Sequence, residues 1–135
     1  MHCLIDANVL LDVLANREPF VEDSSKIWKL CETQQLDGYI SALTFADLVY
    51  VLRKELDPQK IENVLNSLKL IFTFTELNEK DLSDAAALKW NDYEDAIQSV
   101  TASRIKADCI ITRNVKDFKN SSVTAFTPSE ILTRI

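Results

Sequence analysis

Five short apolar segments, the first four each parted from the next by at least one stretch of helical pattern, constrain this chain more than any other feature. They cover 1–5, 39–41, 70–74, 109–111 and 123–126. Parallel strands need a crossover connection, and an intervening helix supplies it. Helices on both sides then cover a sheet whose strands carry apolar residues on both faces. The pattern predicts an α/β protein: one three-layer α/β/α domain spanning 1–135, with a central, mainly parallel sheet. A chain of 135 residues with 47% hydrophobic content is sufficient for one core of this kind.

The helical stretches have recognisable punctuation. Residues 7–15 read as a helix after the first strand, and Pro19 suits the first turn of a second one carrying Phe20, Ile27, Trp28 and Cys31. Asp37-Gly38 reads as a turn into the second strand. Further helices are expected over 44–54, from Pro58 to about residue 68, from Asn78, from Asn91-Asp92 to about residue 106, and over 128–132.

Acidic residues recur at one address in this scheme. Asp6 ends the first strand, and ligands of open α/β sheets bind beyond the carboxyl ends of strands. Asp47 falls in the first turn of the helix after the second strand. Asp95 falls in the first turn of the helix before the fourth, and Asp117 in the loop after it. Parallel strands bring Asp6, Asp47 and Asp117 to one edge, and Asp95 joins them if its helix starts there. Each acid also has a local explanation. Asp6 suits a helix cap, Thr44-x-x-Asp47 and Asp92-x-x-Asp95 resemble capping boxes, and Asp117 suits an exposed turn. From spacing alone both explanations stand.

Gathered carboxylates repel one another unless a cation lies among them, and oxygen donors suit Mg²⁺ or Mn²⁺. His2 is the sole histidine, and Cys3, Cys31 and Cys109 are far apart in sequence, which disfavours zinc and histidine-based nucleophilic catalysis. Gly38 is the sole glycine, so no phosphate-cradling loop is present. Metal-assisted phosphodiester hydrolysis fits what remains. The 15 basic and 21 acidic residues, net −6, exclude a protein that holds nucleic acid by bulk positive charge. No apolar run approaches the roughly 20 residues of a membrane span, and the N-terminus lacks the pattern of a signal peptide. An odd number of separated cysteines suggests reduced thiols and a cytoplasmic protein.

Asp6-Ala7-Asn8, Ser41-x-x-Thr44-x-x-Asp47, Glu94-Asp95-Ala96-x-Gln98 and Thr112-Arg113-Asn114 leading to Asp117-Phe118 together resemble a PIN domain, in order and over nearly the whole chain. The resemblance implies a small parallel α/β fold that binds Mg²⁺ or Mn²⁺ and cuts RNA to leave a 5′-phosphate and a 3′-hydroxyl. It also implies a VapC-type toxin with an antitoxin partner, and self-association as a homodimer. Carried over by position, Asp6, Asp47 and Asp95 match the first three metal-binding acids. The second acid is often Glu in the family, whereas Asp47 is shorter. The fourth is often found where Asn114 stands, leaving Asp117 or Asn114 to complete the site. Asn8, Thr112 and Asn114 match supporting polar positions, and Arg113, Lys116 and Lys119 are candidates to meet substrate phosphates. Two other functions compete. One is a catalytically weak PIN domain that binds RNA or protein. The other, a phosphoacceptor signalling domain, ranks behind, because Thr127-Pro128 follows the last strand where a lysine is needed.

Overall fold

The computed structural model describes residues 1–135. Its sheet contains β1 (His2–Ile5), β2 (Asp37–Ser41), β3 (Thr73–Thr75), β4 (Cys109–Ile111) and β5 (Ala125–Phe126). The order is β3-β2-β1-β4-β5, and every neighbouring pair is parallel. The helices are α1 (Ala7–Leu14), α2 (Val21–Glu32), α3 (Ala42–Leu52), α4 (Pro58–Ile71), α5 (Glu79–Leu88), α6 (Tyr93–Arg104) and α7 (Pro128–Leu132). The expected α/β/α architecture is therefore present. No helix is long and apolar enough to cross a membrane.

Strand alternation builds the two inner faces. Cys3, Ile5, Cys109 and Ile111 join a core with Val9, Leu10, Ile27, Leu48, Leu68 and Ile131. Leu4 and Ile110 point the other way and pack with Ala102, Phe118 and Ala125. Small residues let α5 and α6 approach closely through Ala85 and Ala96, with Ile97 beside them. Arg104 then clamps the pair, its Nε donating to Asp81 Oδ1 at 2.9 Å and Oδ2 at 3.1 Å.

Several local expectations change. The 70–74 stretch does not form one strand: α4 continues to Ile71 and β3 begins at Thr73. Helical spacing buries Leu68 and Phe72 while leaving Leu70 88% exposed, so a short apolar run had two possible readings. Pro19 precedes α2 instead of opening it. Asp37 and Gly38 lie within β2, paired with His2 and Cys3. Gly38 is required by close approach, since a Cβ there would stand 2.7 Å from both Cys31 Sγ and the Phe72 ring. The cysteines, distant in sequence, are not distant in space. Cys3 and Cys109 are register partners whose sulfurs lie 2.7 Å apart, and Cys31 belongs to the same core.

Candidate active site

The carboxyl edge of the sheet is assembled around Asp6. Its backbone N–H still donates to Ile111 O at 3.0 Å, which holds the residue at the β1–β4 junction. Its side chain caps α1 by accepting from Ala7 N at 2.9 Å, so the local explanation for Asp6 holds. Capping does not use up the carboxylate. Thr112 Oγ1 donates to Oδ2 at 2.8 Å, and Gln98 Nε2 donates to Oδ1 at 3.3 Å. Burial pushes this carboxyl up, and the bonds from Thr112, Gln98 and Ala7 pull it back only in part.

Gln98 connects three elements to that acid. Its Oε1 accepts from Ser41 Oγ at 2.6 Å, and its Nε2 donates to Thr44 Oγ1 at 2.9 Å. Ser41, Thr44, Gln98 and Thr112 are all buried. A buried polar group costs stability unless partnered, and here each partner fixes another. Asn8 adds a second brace. Its Nδ2 lies 3.3 Å from Thr112 Oγ1 and 3.5 Å from Asp6 Oδ2, while its Oδ1 accepts from Arg113 N at 3.2 Å.

The capping explanations for the other acids separate in space. Ser41 caps α3 by accepting from Thr44 N, so the helix starts at Ala42 and Asp47 falls in its second turn. Asp47 is thereby free of any capping role. Asp92 caps α6 by accepting from Asp95 N at 3.0 Å, without a return bond from the Asp95 side chain. The Asp95 carboxylate is therefore not used as a cap, and it lies half-buried in the first turn of α6 beside Glu94.

Asp6, Asp47, Glu94 and Asp95 line one open cavity of about 460 Å³, with Asn8, Gln98 and Asn114. Burial raises Asp47, and repulsion from Asp6 raises it further, against a hydrogen bond with Glu94 that lowers it. Burial also raises Glu94, followed by repulsion from Asp47 and Asp92 and by its side-chain contact with Asp47. Asp95 is pushed up to about 7, first by burial and then by Asp92, Asp6, Asp117 and Glu94. All four acids thus resist simultaneous ionisation. The available ligand atoms are carboxylate and amide oxygens, with uncompensated negative charge, which fits a hard divalent cation. The acids ring the cavity without closing a cage: no three gather tightly enough around one point to hold an ion as they stand.

Asn114 lines this cavity, and its N–H donates to Thr112 Oγ1 at 3.1 Å. Asp117 instead occupies an exposed 3-10 turn, Val115–Phe118. It lines an adjoining cavity of about 630 Å³ that meets the first at Asp95, together with Lys116 and Lys119. Arg113 is not brought to either cavity. Its Nε lies 2.9 Å from Oδ2 of fully buried Asp12, and its guanidinium lies 4.0 Å from the Phe20 ring centroid. A buried carboxylate needs a counter-charge, and Arg113 supplies it. Sequence reasoning attached no role to Glu94 or Gln98. The signal was present in the i, i+3 and i, i+4 spacing that places Asp95, Gln98 and Glu94 along neighbouring positions of one helix.

A parallel sheet with an acid-lined cavity at its carboxyl edge defines an α/β domain whose candidate site lies beyond the strand ends. The PIN domain family matches residues 2–116, and the chain belongs to it. No curated protein matches by sequence. Among solved structures, the fold is similar to a toxin–antitoxin complex from Klebsiella pneumoniae, with TM-score 0.72, 21% identity and coverage of 93% of this chain and 97% of that one. It is also similar to FitAcB from Neisseria gonorrhoeae, with TM-score 0.71, 22% identity and coverage of 96% and 99%. VapBC-1 from nontypeable Haemophilus influenzae gives TM-score 0.72, 17% identity and coverage of 96% and 99%.

Proposed function

We propose that this PIN-domain protein is an Mg²⁺- or Mn²⁺-dependent endoribonuclease and the toxin half of a VapBC-type pair. The observation that carries the reading is the shared cavity of Asp6, Asp47, Glu94 and Asp95, in which every carboxyl is raised and none has a cationic partner within salt-bridge distance. Such a site is costly when all its acids are charged and becomes favourable with a divalent ion.

In this reading Asp6, Asp47 and Asp95 hold the ion, Glu94 adds a carboxylate, and Asn114 or Asp117 completes the set. A bound ion of this kind polarises a phosphodiester and lowers the pKa of water. The chain's own work is positional. Thr112 and Gln98 fix the two oxygens of Asp6, Asn8 steadies Thr112, and the Ser41–Thr44–Gln98 network locks α3 to α6 so that Asp47 and Asp95 face one space. The antitoxin partner rests on the toxin–antitoxin complexes among the similar folds. A homodimer and a cytoplasmic location belong to the same proposal.

The test is cleavage of a labelled single-stranded RNA. Wild type with Mn²⁺ is expected to cut and EDTA to stop it, while Asp6→Asn and Asp95→Asn abolish cutting with the fold retained. Cutting that survives EDTA, or survives both substitutions, refutes the reading. The uncaged arrangement of the acids favours one second reading, a PIN domain that binds RNA with little turnover. Lysine-dependent RNA binding without Mn²⁺-dependent cleavage would select it.

A further inference from the structure

Three thiols meet over the centre of the sheet. Cys3 on β1 is flanked in register by Cys109 on β4 and by Gly38 on β2. Register partners project to the same face, and Cys3 and Cys109 both enter the larger core. Gly38 has no side chain, and Cys31 Sγ on α2 lies 2.7 Å from where its Cβ would stand. The Cys109 Sγ–H donates to Cys3 Sγ at 2.7 Å. All three cysteines are free, and none is more than 2% exposed. Neighbouring strands stand about 4.8 Å apart, inside the roughly 4.4–6.8 Å that a disulfide spans between Cα atoms. Cys3 and Cys109 can therefore bridge without moving the backbone of either strand.

We infer that Cys3 and Cys109 are a modification site for hydroperoxides, closing to a buried disulfide that ties β1 to β4. One sulfur attacks the peroxide O–O bond, keeps one oxygen as a sulfenic acid and releases the other as alcohol or water. The second thiol then attacks that sulfur, forming the S–S bond and expelling water. Two thiol protons and two electrons pass to the peroxide, whose two oxygens leave fully reduced. Access comes at the amino edge of the sheet. Cys3 is second in β1 and Cys109 first in β4, and the residues before them, His2 and Asp108, are half-buried and exposed. Strand ends open more readily than strand centres. While the edge is closed the pair reacts slowly. Contact with Cys109 and burial raise the Cys3 thiol, and burial pushes Cys31 up to about 12, so little thiolate is present. The same closure shields the finished bridge from reductants. The cysteines are 106 positions apart, so the bridge acts chiefly by restraining the unfolded chain. Asp6 and Thr112 lie beyond them on the same two strands, already joined at 2.8 Å, so the acid cavity keeps its geometry.

The experiment treats the full chain, reduced and then freed of reductant, with hydrogen peroxide, and maps its peptides by mass spectrometry. A peptide pair joining Cys3 to Cys109, lighter by about 2 Da than its reduced members, is expected. Met1, the sole methionine and 52% exposed, gauges the dose through its sulfoxide. Bridged protein should melt roughly 7–15 °C higher than reduced, and the rise should outlast added glutathione while the chain stays folded. Cys31→Ser should bridge and shift like wild type, whereas Cys109→Ala should do neither. Should Cys109→Ala fail to fold, the wild-type peptide map and melts decide alone. Met1 fully oxidised while Cys3 and Cys109 remain thiols overturns the inference. So does a bridge that includes Cys31, oxygen added to either sulfur in place of the bridge, or a bridged chain that melts no higher.

Discussion

Arg113→Met should destabilise the protein more than any substitution at the acid cavity. Asp12 on α1 is fully buried, accepts from Ser24 Oγ at 3.0 Å through Oδ2, and lies 2.9 Å from Arg113 Nε through the same oxygen. Its Oδ1 has no hydrogen-bond partner, and the Nε contact is too poorly directed to count as a hydrogen bond despite its length. Arg113 is thus the counter-charge that makes this carboxylate tolerable. Removing one partner of a buried pair costs about 3–5 kcal/mol. At about 2.1 cal/mol/K per residue, 135 residues give an unfolding entropy near 0.28 kcal/mol/K, so the melting temperature should drop by about 10–18 °C. Exchanging both charges, Asp12→Leu with Arg113→Met, should recover most of the loss, because similar-volume apolar replacements of buried pairs are often neutral. Differential scanning calorimetry of wild type, both singles and the double closes the cycle. A loss below about 1 kcal/mol for Arg113→Met, or a double variant no better than the singles, would refute the counter-charge account.

Three further outcomes are expected. In EDTA the protein should become less stable as pH rises from about 4 to 7. The folded-state pKa of Asp95 is raised from 3.8 to about 7, so its contribution is full below the unfolded value and lost through the folded one. Asp95→Asn should flatten that slope in thermal melts at several pH values. Saturating Mn²⁺ should raise the melting temperature of wild type by about 10 °C, from about 2.7 kcal/mol at one hundred times its dissociation constant. Asp95→Asn should erase most of this rise, whereas no shift in wild type would mean that the acids bind no ion strongly. Gly38→Ala should cost about 1–3 kcal/mol from overpacking, measured by urea denaturation, because its Cβ would press on Cys31 and Phe72. A neutral result would show that both neighbours yield freely.

The layer architecture was legible because it depends on local information. Apolar runs of strand length and helical spacing are written residue by residue, and the crossover rule turns their order into a parallel sheet. Asp6 was legible for the same reason, being the polar residue at which the Leu4-Ile5 run stops. Where two periods fit one stretch, as over 70–74, tertiary burial of Leu68 and Phe72 decided for helix. The identity of each neighbour also lay outside the sequence. Arg113 and Lys116 stand three residues apart, yet one turns inward to Asp12 and the other lines the cavity beside Asp117. Gln98 and Asp6 lie 92 positions apart and meet across the α6–β1 packing. Backbone preference acts over a few residues, so the chain's pattern determines which elements form and in what order. Charge pairing and hydrogen bonding act over a few ångström in space, so only the folded chain decides which side chains answer one another.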